Sequence, residues 1–541
     1  MSRRLLIFVI VAALAAGCRG ASGPTGAIPP GPGTLSQLPG ARLSPDTNVN
    51  ELPEPPVVKA VDGVAKVSLI ANVNPATGLP SFQYNGLHGV APTIEVQPGQ
   101  RFVINLTDDL PVSGGLASDM NLHFHGMGSA PRKPGDDVLG VLATPGQMLH
   151  YEVHVPINQE PGLYWYHPHV HLETSYQVGE GGMSGAIVVL GIEKHLPRLA
   201  KMKQRLIVVR ATGIGVNARP HDDADAAGDS EDAMPGMAGM AGMPMATARP
   251  LNSNRTPCLF YDGLNVTLNG AFEPVITIAP GEKQFFRVVN ATGHKTLKLA
   301  VDGENIQVVA IDGFALDSYP GTPATESVPY LVVPPAARAE FIVTGPASGH
   351  GTFRTLCYNS GPNGDGDPPW LLAKLRAPKH ADGGDFSTQP ITAGAPQVPN
   401  GYNTKLPPPA AKRVVVFSEN NKPQFFINGK QFSMYSKPMY VVHVGTVEEW
   451  HVVNVTQEIH DFHIHQLHFL VQKINGVPVK HPYWADSVVI PHRYPVGIKS
   501  VPGTLDLLMD FRSPIIKGEF LFHCHILDHE DQGMMAKIEA I

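Results

Sequence analysis

Short runs of alternating apolar and polar residues, closed by glycine or proline, fill most of this chain, and helical spacing is scarce. Pro92–Gly99 (PTIEVQPG) is typical: Ile94 and Val96 fall on one face of a strand, and Pro98-Gly99 closes it. The pattern returns at Pro274–Gly281 and Pro438–Gly445. In those two copies an Asn-x-Thr follows nine residues after the glycine, at Asn290–Thr292 and Asn454–Thr456; at Asn105–Thr107 it comes three residues earlier. A strand, a turn and a second strand recurring three times predict an all-β chain of three related sandwich domains.

A second repeat carries chemistry. Gly162–His169 (GLYWYHPH) aligns without gaps on Gly518–His525 (GEFLFHCH), and Gly351–Tyr358 (GTFRTLCY) falls in the same register. The first copy has Pro168 where the last has Cys524. The middle copy keeps Cys357 but has Leu356 and Tyr358 in place of the histidines. Domains are expected at 57–197, 198–395 and 396–541.

In an extended segment His523 and His525 point one way and Cys524 the other, so one strand can touch two metal centres back to back. Cys524, His529 and Met534 supply a thiolate, an imidazole and a thioether. With one more histidine from the run His460–His465 they complete the His₂Cys set with an axial Met of a blue-copper site. Two further pairs, His123-Phe124-His125-Gly126 and His167-Pro168-His169, give four histidine motifs in all.

By these motifs, over roughly residues 60 to 541, the chain resembles the multicopper oxidases, the family of laccases, bacterial cuprous oxidases and ferroxidases. The resemblance implies three cupredoxin-like Greek-key domains and four copper ions. His460, Cys524, His529 and Met534 would hold the type 1 copper, and His123 and His463 the type 2 copper. His125, His167, His169, His465, His523 and His525 would hold the type 3 pair, in a cluster between domains 1 and 3. Glu530, and Asp136 or Asp137, resemble family carboxylates that relay protons to bound oxygen. Asp461 stands where the family usually has proline, which leaves the ligands intact and is expected to alter the surface near the type 1 site. His171 and the remaining histidines read as surface or satisfied polar groups.

Residues 1–18 read as an export signal: Arg3 and Arg4 precede the apolar run Leu5–Ala16, which is shorter than the ~20 residues a membrane span needs. Leu14–Cys18 resembles a bacterial lipobox with Cys18 as the lipidated residue, against ordinary secretory cleavage nearby, and Arg3-Arg4 weakly resembles a twin-arginine signal. This predicts an exported envelope protein with membrane attachment through Cys18. Residues 19–56, rich in Pro, Gly and Ser, read as a tether. A net charge of −7 without a basic run argues against nucleic acid, and no protein partner is evident. Cys258 and Cys357 remain, as a disulfide in an oxidising compartment or as two separate buried thiols.

An insertion at 211–257 is acidic first, then carries Met234, Met237, Met240, Met243 and Met245 among Gly, Ala and Pro. Its composition favours a loop; thioethers suit Cu(I) and the acids harder cations. It resembles the Met-rich segments of cuprous oxidases, where such a segment lies in the third domain. The expected function is therefore oxidation of Cu(I), and of phenols, by O₂ in copper tolerance. The alternatives are a general laccase acting on phenols or aromatic amines, and a non-catalytic copper-binding envelope protein.

Overall fold

The alternation in Val64–Val73 becomes a strand that buries Ala65, Val67, Leu69 and Ala71 and turns Lys66, Ser68 and Ile70 outward. The same logic builds the rest of the computed structural model. It describes residues 50–111, 118–212, 265–378, 406–420, 424–496 and 499–541, all inside one compact unit, Asn48–Ile541.

Strands pair into two large sheets in each third of the described chain, as cupredoxin-like sandwiches require, and the last third adds the two-stranded ribbon Tyr494–Val496 with Lys499–Val501. In each third one sheet has the same core order. In the first, Thr93–Val96 pairs parallel with Gly185–Val189, which pairs antiparallel with Gly162–His167, then His123–His125. In the middle third the order is Val275–Thr277, Trp370–Arg376, His350–Leu356, Leu297–Val301. In the last it is Tyr440–Val442, Met535–Ala540, Gly518–Cys524, His460–Ile464. The repeated sequences thus occupy the same slots.

Each sandwich encloses its own apolar core. Phe102, Phe124 and Ile104 lie in the first, Phe286, Phe341 and Phe353 in the second, and Trp450, Phe462 and Phe522 in the third. Each such side chain contributes about 1.5–3 kcal/mol by burial, and truncating one of the aromatic rings to Ala costs about 3–5 kcal/mol. The last core also contains Cys524 and Met534, so the thiolate and thioether sit in a dry environment.

The segment 50–56, assigned by composition to the tether, is instead docked. Leu52 is buried in the middle core, and the Leu52 N–H donates to Val275 O at 2.9 Å while Val275 N–H donates to Asn50 O at 2.7 Å. One apolar side chain in a Pro-rich stretch suffices to fix the chain there. Cys357 is disulfide-bonded; Cys258, its expected partner, lies outside the described residues, as do Cys18, the export signal and the methionines of the insertion. Among the described residues no helix is long and apolar enough to cross a membrane.

Candidate metal centres

Strand pairing places Phe462 opposite Cys524 and His463 opposite His523, so the two adjacent strands sort their side chains to the same two faces. On one face Cys524 Sγ lies 3.7 Å from His460 Nδ1 and 3.7 Å from His529 Nδ1, and the two nitrogens are 3.1 Å apart. The other ring nitrogens are held from behind. His460 Nε2 meets Thr456 Oγ1 at 3.1 Å, and His529 Nε2 is 3.7 Å from Glu458 Oε1. Phe425 stacks on the His529 ring at 4.1 Å. The short helix Leu527–Asp531 carries His529, and Met534 N–H donates back to His529 O at 2.9 Å. Burial lowers His460 and brings His529 down to about 3, keeping both rings neutral, and it raises the Cys524 thiol. The Asp461 N–H donates to Cys524 Sγ at 3.4 Å, a bond that proline could not make. Asp461 itself is buried, so the expected surface change is an interior one.

On the opposite face eight buried histidines converge from the first and last domains. His125, His167 and His525 bring ligand atoms within 4.8 Å of one another, as do His169, His465 and His523; His123, His125 and His463 form an overlapping group. His523 Nε2 is 3.3 Å from His169 Nε2 and 3.2 Å from His465 Nε2. Outer partners fix several rings. His123 Nδ1 faces Asp136 Oδ2 at 3.0 Å, His167 Nδ1 faces Pro168 O at 2.7 Å, His463 Nδ1 faces Asp486 O at 2.7 Å, and His523 Nδ1 faces Cys524 O at 3.0 Å. The inward atoms His123 Nε2, His125 Nδ1, His167 Nε2, His463 Nε2 and both His525 nitrogens have no protein partner. Burial and mutual proximity push His125, His167, His169, His465, His523 and His525 well below the usual histidine range. Unpartnered buried polar atoms each cost about 1–3 kcal/mol, so this many in one place mark a ligand site. His171 stands apart, edge-on to Phe432 at 4.9 Å.

Of the three carboxylates named from sequence, two reach this cluster. Glu530 is fully buried, 3.2 Å from His523 Nδ1 and 3.6 Å from His169 Nε2, and burial raises it well above the carboxylate range. Asp136 is buried and receives Gln466 Nε2 at 2.8 Å as well as facing His123. Asp137 does not join them, because its Oδ1 accepts the Gly140 N–H at 2.7 Å.

Models of the multicopper oxidase family match residues 71–194, 228–369 and 405–540. The chain is a multicopper oxidase. It is similar to the laccase of Bacillus subtilis, 25% identical over 84% of this chain and 89% of that one. It is also similar to the multicopper oxidase mco of Staphylococcus aureus, 22% identical over 84% of this chain and 83% of that one. Among solved structures, a multicopper oxidase from Campylobacter jejuni described as a metallo-oxidase covers 92% of this chain, and this chain covers 98% of it (TM-score 0.65, 22% identity). The 2F4 variant of the McoA multicopper oxidase of Aquifex aeolicus gives a TM-score of 0.66 at 18% identity, covering 91% of this chain and 100% of its own. The family carries four coppers, and the unpartnered imidazole nitrogens with one buried thiol and one thioether are the donor set copper needs.

This multicopper oxidase has two features that its motifs did not announce. Asp486, Arg338, Asp312 and His468 form a buried polar group against the histidine cluster. Arg338 Nη1 and Nη2 donate to Asp486 Oδ1 and Oδ2, each at 2.6 Å. Burial alone would raise Asp486; the guanidinium overrides it and holds the carboxyl well below its ordinary range. Second, the His529 ring lies in a polar pocket with Asp365, Glu419, Glu458 and Asp528. Burial and the neighbouring Glu419 carboxylate push Glu458 up to about 10.

Proposed function

We propose that this oxidase takes electrons one at a time from a small cationic metal donor, Cu(I) foremost, and also from phenols, in copper tolerance at the cell envelope. The observation that carries this reading is the pocket at His529, lined by the carboxylates Asp365, Glu419 and Asp528, by Glu458, which burial holds in its neutral form, and by the cation Arg493. Carboxylates draw cations and concentrate them at the point of electron entry. The metallo-oxidase from Campylobacter jejuni supports the same reading.

The grouping and the motifs support the following ligand roles. His460, Cys524, His529 and Met534 hold the type 1 copper. His123 and His463 hold the type 2 copper. His125, His167 and His525 hold one type 3 copper, and His169, His465 and His523 the other. Bound there, copper supplies the one-electron chemistry that couples single-electron donors to the four-electron reduction of O₂ to water. The protein's part is to position and to move protons. Cys524, flanked in sequence by His523 and His525, joins the two centres covalently. Glu530, protonated by burial and beside His523 and His169, delivers protons to the oxygen site, and Asp136 orients His123. Residues 57–197, 198–395 and 396–541 are the three domains. The insertion methionines Met234 to Met245 feed Cu(I) toward the pocket, and Cys18 anchors the exported chain.

A second reading, a general laccase, is favoured by the Bacillus subtilis relative. Steady-state O₂ uptake separates the two. The donors would be a Cu(I) complex, Fe(II) and a simple phenol, each tested on the intact chain, on Asp528→Asn and on a chain lacking 234–245. Cation turnover that drops at least tenfold in Asp528→Asn while phenol turnover holds supports the cationic donor. Equal rates with all variants would leave the laccase reading standing. A Cu(I) rate unchanged by the deletion would remove the insertion from the pathway.

A further inference from the structure

Among the described residues the middle domain donates no histidine to the cluster, yet it reaches the cluster's back wall. Arg338 is fully buried in the strand Arg338–Thr344. Besides gripping both oxygens of Asp486, its Nη2 donates to Asp312 O at 2.9 Å. Asp312, from the same domain, accepts the Arg338 N–H at 2.8 Å and the Asp486 and Ser487 N–H groups at 3.1 Å each. The peptide carrying Asp486 is thereby fixed by side chain and backbone together.

From that position Asp486 holds ligands of both other domains. Its Oδ1 lies 3.0 Å from His125 Nε2, and its carbonyl oxygen lies 2.7 Å from His463 Nδ1. His125 therefore differs from its neighbours: His123, His167, His463 and His523 are tied at Nδ1, whereas His125 is tied at Nε2 and has Nδ1 unpartnered. A carboxylate accepts, so Nε2 carries the proton and Nδ1 keeps the lone pair. The glycine after His125 belongs to the same arrangement. Gly126 has φ +80°, and a Cβ there would strike the Arg338 guanidinium and Asp486 Oδ2.

We propose that Arg338, acting through Asp486, is the positioning residue that presents His125 Nδ1 and His463 Nε2 to the copper cluster, so that the middle domain governs copper retention at a site to which it gives no ligand. This rests on the ligand roles proposed above. Neither residue touches donor or oxygen; both act through the histidines.

The test is chelator titration of the copper-loaded full chain, wild type beside Asp486→Asn and Arg338→Lys. Total copper, the type 2 EPR signal and the blue type 1 absorption are followed together. Outer partners of this kind typically change metal affinity 10- to 100-fold. Asp486→Asn should lose cluster copper at least tenfold more readily, and Arg338→Lys less so, while the type 1 band disappears at the wild-type chelator concentration. The copper-free variants should melt close to copper-free wild type. Cluster copper held as firmly as in wild type would overturn the inference. So would parallel loss of type 1 and cluster copper with an equal fall in copper-free melting, which marks a merely structural role. Arg338→Lys keeps a cation in the core and carries the test if Asp486→Asn does not fold. A wild-type chain that does not retain four coppers would instead sink the ligand assignment.

Discussion

The middle and last domains hold the same strand in the same place and do opposite things with it. Register makes the comparison residue by residue. His463 pairs with His523 in the last domain and His123 with His167 in the first, while the matching pair in the middle domain is Lys298 with Leu356. Tyr164, Phe353 and Phe520, each two residues past the aligned glycine, are buried in all three. The apolar positions keep the sheet; the imidazole positions are replaceable without disturbing it. A copy freed from ligation then contributes from elsewhere, through Arg338 and Asp312 behind the histidines of its neighbours.

The two cysteines at the matching position offer the hardest test of that contrast. On the ligand roles proposed above, Cys524→Ser removes the type 1 thiolate, so turnover with every one-electron donor should fall to background and the blue absorption should vanish. The type 2 EPR signal should remain. Cys357→Ser should leave copper content and turnover unchanged and lower stability by about 2–4 kcal/mol, the range for loss of a disulfide. Loss of copper from Cys357→Ser, measured by metal analysis, would break the comparison.

Next in size is Glu530→Gln. The amide preserves shape beside His523 and His169 but cannot cycle a proton, so kcat should drop roughly 10²- to 10⁴-fold with copper content intact. Asp137→Asn, at a carboxylate turned to the Gly140 N–H, should stay within a factor of about two, well below what a positioned acid contributes. Matching losses in the two variants would return Asp137 to the proton path.

Fold class, repeat and every histidine ligand candidate were legible because each rests on a local pattern: alternation, a Pro-Gly turn, or a motif of a few residues. The polar group behind the cluster was not. Arg338 and Asp486 are separated by 148 positions, and neither sits in a repeated motif. Asp312 precedes both in sequence, without periodicity to mark it. His468 looked like an ordinary satisfied histidine and is one, bonded to Asp312 O at 2.9 Å, but its other neighbour is Asp486 at 3.1 Å. Sequence does not separate Asp136 from Asp137 either, since the difference lies in tertiary contacts: Asp136 faces His123 and Gln466, and Asp137 accepts from the Gly140 N–H. Gly126 alone gave a local hint, as a glycine fixed to a His-x-His.

The smallest expected effect concerns how the first and middle domains are joined away from the metal. His195 sits between Glu160 of the first domain and Asp317 of the middle one, with Nδ1 3.0 Å from Asp317 Oδ1 and Nε2 3.5 Å from Glu160 Oε2. Burial alone would lower this histidine, but hydrogen bonds to the two carboxylates outweigh it and raise the ring to about 9 from the usual 6.5. A raised folded value means that the charged ring favours the fold. Its contribution is complete below pH 6.5 and is lost as pH climbs through 9. A shift of this size corresponds to on the order of 3 kcal/mol at most. His195→Gln should therefore melt several degrees below wild type at pH 6, and the gap should close by pH 9.5, with blue absorption equal in both. A gap that stays constant across this range would mean that His195 is neutral in the fold and that the junction is held by packing alone, for which Leu196 and Leu199 against Phe285 and Ile342 are the ready candidates.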